Sequence, residues 1–218
     1  YERYQQEEDC KDDDYEEDDD IIDMDIEYKA SLKEIKAPEV LKYGRVAYRD
    51  DKIIYIAEDG QGTFLARMDK NGKKQKVLRR WDTGDEEFDD SCFGRNYILT
   101  KAYKVDEEDE ESYYERISIN GDVENIGQLQ SGLYTYMEMP QGFYGIDYYS
   151  GGSIHGRVLF NDRTEEQEFS IPVKLGEDAL DYDNDVIAEY AEYETGKIYL
   201  FMGSKRESYG YFYVFDTK

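Results

Sequence analysis

The chain has 218 residues, of which 53 are Asp or Glu and 27 are Lys or Arg, so its formal net charge is −26. Such a surface repels nucleic-acid phosphates and anionic membrane surfaces, and no basic stripe offsets the repulsion, which argues against nucleic-acid binding. No apolar run reaches the roughly 18 residues that a membrane-spanning helix needs, so we expect no membrane insertion of this chain.

Residues 1–27 form an acidic tail with fifteen Asp or Glu against two basic residues, a net charge of −13. The tail lacks hydrophobic periodicity, so it cannot bury enough apolar surface to offset the entropy lost on ordering. We expect a disordered spacer there, followed by one folded domain over residues 28–218. The alternative for the tail is a docking segment for a basic partner, whose affinity should fall with added salt.

After a proline-containing stretch at residues 32–41, which favours an edge strand, a module of strand, loop, strand and turn recurs. In the first copy the strands lie at residues 52–57 and 63–69, and Asn71-Gly72 supplies a tight turn because both positions tolerate positive φ. The later copies have their paired strands at residues 96–99 and 113–119, 142–146 and 156–162, and 196–201 and 211–216.

Three copies share a register, in which Arg67, Arg116 and Arg157 are each followed four residues later by Asn. In the fourth copy Phe212 stands at the arginine position and Asp216 at the asparagine position. A period of about 40–50 residues with four strands per unit is typical of β-propeller blades. We therefore expect an all-β fold, a small β-propeller of about four blades.

Each predicted blade contains an inner strand, the two strands of the module and an outer strand. The inner strands are predicted at residues 45–48, 90–93, 133–138 and 186–190. The fourth copy ends at Lys218 without an outer strand, so we expect residues 32–41 to supply it and close the ring. An irregular antiparallel β-sandwich or a partial propeller is the alternative fold.

The segment Leu65-Ala66-Arg67-Met68-Asp69-Lys70-Asn71-Gly72 resembles the repeat motif of bacterial extracellular propeller-like domains. These are related to the low-density-lipoprotein-receptor type of propeller and to TolB-like propellers. The resemblance covers residues 44–218, and its short motif is specific through repetition. It implies a secreted or surface lipoprotein, with an extracellular or cell-envelope location and an anchor upstream of Tyr1. The receptor signature Tyr-Trp-Thr-Asp is missing, so the resemblance implies neither that class's ligands nor catalytic residues.

Candidate catalytic groups are few. His155 is the single histidine, so a multi-His metal centre cannot form. No nucleophile elbow, phosphate-binding glycine loop or zinc spacing occurs. Carboxylates are so abundant that choosing two as a glycosidase pair would be arbitrary, and we assign no catalytic residue.

One acidic segment has the pattern of half a calcium-binding loop. Asp181, Asp183 and Asp185 alternate along the chain, and Glu192 falls at the twelfth position, where an EF-hand has a bidentate ligand. However, Val186 occupies the position that requires Gly, and the flanks favour strands. We expect a solvated loop between blades and keep the three aspartates as a candidate site for calcium, the one candidate cofactor.

The sequence favours a non-enzymatic cell-envelope or secreted scaffold that presents loops to a protein, peptide or glycan. Two alternatives stay open: a carbohydrate-active enzyme that uses paired carboxylates, and an acidic mimic that binds a basic partner. Cys10 and Cys92 either pair or remain separate thiols. Tyr134 and Tyr136 stand at period two, which favours alternation between surface and core over a ligand site.

Overall fold

The computed structural model describes most of the chain, over residues 40–105, 112–130, 132–150, 152–173, 184–204 and 210–218. Within these ranges the chain forms fifteen β-strands and one short 3₁₀ helix, η1, and no α-helix. The strands make four antiparallel sheets, which are arranged as a four-bladed propeller. The predicted all-β propeller of four blades is confirmed. No helix in the described ranges is long and apolar enough to cross a bilayer.

The strands follow the predicted order within each blade. Blade 1 contains β1 Val40–Arg49, β2 Lys52–Asp59, β3 Gly62–Asp69 and β4 Lys76–Asp82. Blade 2 contains β5 Glu86–Phe93, β6 Tyr97–Lys104, β7 Ser112–Ser118 and β8 Val123–Ile126. Blade 3 contains η1 Leu133–Thr135, β9 Tyr136–Met139, β10 Gly142–Ser150, β11 Ser153–Phe160 and β12 Gln167–Pro172. Blade 4 contains β13 Asn184–Glu192, β14 Lys197–Ser204 and β15 Gly210–Asp216.

The predicted inner strands lie in β1, β5, β9 and β13. The third differs in its first half, because residues 133–135 form η1 instead of a strand. There the backbone N–H and the hydroxyl of Thr135 both donate to the Gly132 carbonyl, which closes a single turn. Tyr136 is buried and Tyr134 is 82% exposed, which is the expected alternation between core and surface.

Most of the predicted closing strand, residues 32–41, lies outside the described residues, as does the whole acidic tail. Val40 and Leu41 are described, and they begin β1, where they pair with Glu58 and Ala57 of β2. These two residues therefore belong to blade 1. In its described part blade 4 has three strands, with β15 at the edge of the sheet.

Hydrophobic cores fill the spaces between successive blades. Alternate residues of a strand point to opposite faces, so Ile54 and Ile56 of β2 pack towards blade 2, whereas Tyr55 and Ala57 form a cluster on the other face. The core of blades 1 and 2 joins Ile54, Ile56, Leu65, Leu78 and Trp81 to Phe88, Ile98, Ala102 and Ile117. The core of blades 2 and 3 joins Leu99, Tyr114, Ile126 and Leu129 to Leu133, Tyr136, Phe143 and Leu159. The core of blades 3 and 4 joins Met139, Tyr144, Ile146, Ile154 and Val158 to Ile198, Leu200 and Met202.

The repeated arginine connects one blade to the next. In blade 1 the Nη1 of Arg67 donates to the Ile119 carbonyl of blade 2, at 2.6 Å. In blade 2 the Nη1 of Arg116 donates to the Phe160 carbonyl of blade 3, at 2.8 Å. Both acceptors immediately precede the asparagine of the next copy. The shared sequence register therefore encodes an equivalent contact at two junctions, which we call the arginine clasp.

The clasp at Arg116 is the more deeply buried of the two. This side chain is 2% exposed, its Nη2 also donates to the Arg163 carbonyl at 3.2 Å, and it pairs with Glu124 at 2.5 Å. In blade 3 the equivalent Arg157 forms ion pairs with Asp147 and Glu168 of its own blade.

A second link between blades 1 and 2 is an ion-pair network around Arg79 of β4. Its Nε lies 2.9 Å from a carboxylate oxygen of the buried Glu115, and its Nη2 lies 3.0 Å from Glu86. Burial of the guanidinium lowers its pKa, but the hydrogen bonds and charges of Glu115 and Glu86 outweigh this, so the pKa of Arg79 is raised. The half-buried guanidinium of Arg79 thus has a carboxylate partner on blade 2 at two positions, and a buried charge without such partners would be destabilising.

Blades 2 and 3 share a further contact at Glu138 of β9. Its carboxylate accepts hydrogen bonds from the backbone N–H of Asn96, at 2.8 Å, and from the Asn96 side chain, at 3.2 Å. Asn96 lies in the turn between β5 and β6. Gly94 of the same turn has no room for a side chain, because an added Cβ would overlap the Glu138 carboxylate and lie 2.8 Å from the Tyr97 carbonyl oxygen.

Replacing Arg116 by Met should destabilise the protein by about 2–4 kcal/mol, because the carbonyls of Phe160 and Arg163 lose a charged donor that Met cannot replace. Arg67→Met should cost less, since Arg67 is only partly buried. Urea unfolding followed by the fluorescence of Trp81, the single tryptophan, measures both. Equal stability of the Arg116→Met variant and the unmodified chain would contradict a clasp.

Gly94→Ala should lower the free energy of unfolding by about 1–3 kcal/mol, because Glu138 must move to admit the methyl group. Gly60→Ala is the matched control, since nothing lies within 4 Å of its added Cβ and its φ is not positive. Thermal unfolding of the two variants side by side checks this. If both substitutions had the same effect, close packing at Gly94 would not be the cause.

Candidate functional site

The inner strands of all four blades surround a cavity of about 370 Å³, which we call the central cavity. Arg49 ends β1, Arg95 lies in the turn after β5, Glu138 lies in β9, and Glu189 and Tyr190 lie in β13. The first strand of each blade lines the axis of a propeller, so this position follows from the fold. The cavity brings together groups that are far apart in the sequence.

Asn96 positions three blades around this cavity. Besides its bonds to Glu138 of blade 3, its side-chain Nδ2 lies 2.7 Å from the hydroxyl of Tyr193, beyond β13 of blade 4. The neighbouring Arg95 pairs with Glu194 and lies over the ring of Tyr193, 5.1 Å from its centroid. The turn between β5 and β6 is therefore held by contacts with blade 3 and with the end of blade 4's first strand.

Among the described residues two carboxylates line the central cavity, and their surroundings differ. Burial raises the pKa of Glu138, while hydrogen bonds from Asn96 and Tyr97 oppose the rise. Partial desolvation also raises the pKa of Glu189, and none of the described residues forms a hydrogen bond or ion pair with its carboxylate. Glu138 is thus committed to the structure, and Glu189 is open to a ligand.

The charge of the central cavity is mixed. Arg49 and Arg95 supply guanidinium groups, and Glu138 and Glu189 supply carboxylates. Phe93, Tyr136, Tyr190 and Tyr193 add aromatic walls. Such a lining offers both donors and acceptors together with apolar surface, which suits a polar ligand that carries both signs of charge.

A second cavity, of about 350 Å³, lies on blade 4 and is called here the aromatic recess. Tyr190, Tyr199, Phe201 and Phe212 line it, together with Glu189 and Glu192. The ring centroids of Tyr190 and Tyr199 are 6.1 Å apart, as are those of Tyr199 and Phe212. The recess shares Glu189 and Tyr190 with the central cavity.

The candidate calcium site stays a prediction, because Asp181 and Asp183 lie outside the described residues. Asp185 lies in β13, where its backbone pairs with Gly203. Glu192, at the proposed twelfth position, accepts hydrogen bonds from the hydroxyls of Thr195 and Tyr199. The described part of the chain contains no cluster of three or more side chains that could hold a metal ion.

His155 lies in β11, half-buried, and pairs with Ser170 of β12. Cys92 lies in β5, and its thiol donates to the Tyr136 carbonyl at 3.2 Å. Cys10 lies outside the described residues, so its pairing stays open.

Sequence reasoning did not single out Glu138, Glu189 or the aromatic recess. One feature of the sequence could have indicated Glu138: it is a carboxylate flanked by Met137 and Met139 in a predicted inner strand. The recess had no local signal, because its aromatic residues come from three strands whose register only the folded sheet defines.

No family model matches the sequence, and no curated protein matches it significantly. Among solved structures, the apo form of the isopeptidase AtxE2 aligns with 77% of this chain and 32% of its own, at 7% identity and a TM-score of 0.30. A Ser-to-Ala variant of AtxE2 with Astexin3-dC4 bound aligns with 76% of this chain and 32% of its own, at 6% identity and a TM-score of 0.28. The chain spans about a third of the length of these structures, and such a likeness carries no argument about function.

Proposed function

We propose that the chain is a non-enzymatic binding scaffold that takes part of a peptide into the central cavity. The observation that carries the proposal is the convergence of all four blades on one cavity of about 370 Å³. Ligand cavities typically measure about 300–1,000 Å³ and combine apolar walls with a few placed polar groups. The central cavity has this size and this composition.

A peptide fits the mixed charge of the cavity. Its carboxylate groups are complementary to Arg49 and to Arg95, whose ion pair with Glu194 is exposed and leaves the Arg95 side chain 41% accessible. Its amino groups are complementary to Glu189. The resemblance of the repeat motif to bacterial extracellular propeller-like domains supports a secreted or cell-envelope setting. In that setting the acidic residues 1–27 serve as a solvated spacer.

A carbohydrate-active enzyme is the second candidate, because Glu138 and Glu189 line one cavity and both have a raised pKa. Binding is favoured over catalysis because both oxygens of Glu138 accept hydrogen bonds from Asn96. A general acid must give its proton to the substrate, and these contacts hold Glu138 in a structural role instead.

Peptides selected from a displayed random library against the intact chain should bind through Arg95. Arg95→Ala should weaken the best peptide at least about tenfold, because it removes a charged donor from the cavity wall. Tyr134→Ala is the matched control, since this exposed tyrosine lies outside the cavity. Calorimetric titration of the same peptide into the three proteins gives the comparison.

Equal affinity of the Arg95→Ala and Tyr134→Ala variants would place the peptide elsewhere and contradict the proposal. The second candidate, a carbohydrate-active enzyme, is tested by the hydrolysis of a panel of chromogenic glycosides. Hydrolysis that Glu138→Gln abolishes, in a variant that still unfolds cooperatively, would favour the second candidate. Absence of hydrolysis is the result we expect.

A further inference from the structure

We propose that the aromatic recess of blade 4 binds the side-chain ammonium group of a lysine on a partner polypeptide. This inference goes beyond the ligand proposed for the central cavity, although the two cavities share Glu189 and Tyr190. It rests on the rings, on the carboxylates beside them and on the position of the recess in the repeat.

The sheet of blade 4 sets the aromatic rings side by side. Tyr190 of β13 pairs with Tyr199 of β14, and Phe201 of β14 pairs with Phe212 of β15. Neighbouring planes are tilted by 39° between Tyr190 and Tyr199 and by 40° between Tyr199 and Phe212. The negative face of an aromatic ring attracts a cation, and several rings around one cavity add their attraction.

Two carboxylates complete the recess. Glu192 is held in place by the hydroxyls of Thr195, at 2.6 Å, and Tyr199, at 3.3 Å. Glu189 has no ion-pair partner among the described residues, and its desolvation is a cost that a bound cation would offset. Among the described residues, no lysine or arginine lines the recess, so an ammonium group would meet no like charge from them.

The face that carries the recess is open to solvent. Tyr190 and Phe212 are each 65% exposed, whereas the opposite face of blade 4 is buried against blade 3 through Ile198, Leu200 and Met202. Exposed aromatic surface of this kind marks interaction sites. Phe212 also occupies the frame position of Arg67 and Arg116, so the recess lies on the face that forms a clasp in blades 1 and 2.

A lysine side chain fits this lining better than a sugar does. A sugar needs donors as well as acceptors. Apart from two tyrosine hydroxyls, the polar side chains that the described residues bring to the recess are carboxylates. The tilted rings also do not form the flat platform on which a sugar ring stacks. A lysine offers four methylenes to the rings and a charge to Glu189 and Glu192, and the net charge of −26 attracts basic polypeptides.

The test uses a neutral-backbone peptide, acetyl-Gly-Ala-Lys-Ala-Gly-amide, and two derivatives in which the lysine is Nε-acetylated or Nε-trimethylated. Calorimetric titration into the intact chain should show binding of the lysine and trimethyl-lysine peptides. Acetylation should weaken binding about 3- to 30-fold, because it keeps the methylenes and removes the charge. An acetylated peptide that bound as well as the charged ones would overturn the proposal.

Two substitutions localise the site. Phe212→Ala should weaken the lysine peptide about 3- to 30-fold, and Phe212→Tyr should restore it, since the ring is retained. Both substitutions leave the net charge of the chain unchanged. If the peptide bound only through general attraction to the acidic chain, the two variants would bind it equally well. Tyr134→Ala should bind like the unmodified chain. Phe212 lines the recess and not the central cavity, so the effect of its substitution separates the two sites.

Loss of binding in Tyr134→Ala to the same extent as in Phe212→Ala would overturn the assignment to the recess. Glucose as the competitor tests the sugar alternative, and its displacement of the lysine peptide in the millimolar range would likewise overturn the proposal. Elution of the chain as a dimer that Phe212→Ala dissociates would show that a second copy, not a lysine, occupies the recess.

Discussion

A small antiparallel sheet has two faces and cannot bury both of them by itself. Each sheet here is apolar on both sides, as the opposite clusters around Ile54 and Tyr55 in β2 show. Fully burying one Leu or Ile contributes about 1.5–3 kcal/mol, so the cores between blades supply most of the stability. Apolar packing is not directional, however, and it leaves the angle between two blades weakly defined.

The arginine clasp supplies the direction that the cores lack. Arg67 and Arg116 each donate to the carbonyl that precedes the asparagine of the next copy, so in blades 1 and 2 one residue determines where the next blade's turn lies. Glu138 and Asn96 act in the same way nearer the axis. Because the contact between Glu138 and Asn96 lies at the inner strands, it also helps to shape the central cavity.

Much of this fold could be predicted from local patterns. The hairpins, the asparagine turns and the inner strands follow from alternation and turn chemistry, and the frame of Arg67, Arg116 and Arg157 reveals the repeat. The site could not be predicted, because it depends on contacts between blades and on irregular pairing. In β13 the register shifts between Val186 and Ala188. If the pairing of Val186 with Met202 continued without that shift, Tyr190 would face Ile198 instead of Tyr199.

Blade 4 differs from the other copies at the repeated positions, and this difference points to a specific function for blade 4. A residue that serves the fold recurs in each copy, as the arginine does in the first three, and a residue that serves a ligand needs to occur once. At the arginine position blade 4 has Phe212, whose ring is 65% exposed, and at the asparagine position it has Asp216. Exposing an aromatic ring forgoes the stability that its burial would give. Such a loss at the one position where the other copies form a clasp or an ion pair is explained if the ring packs against a partner, which is the role that the aromatic recess would have.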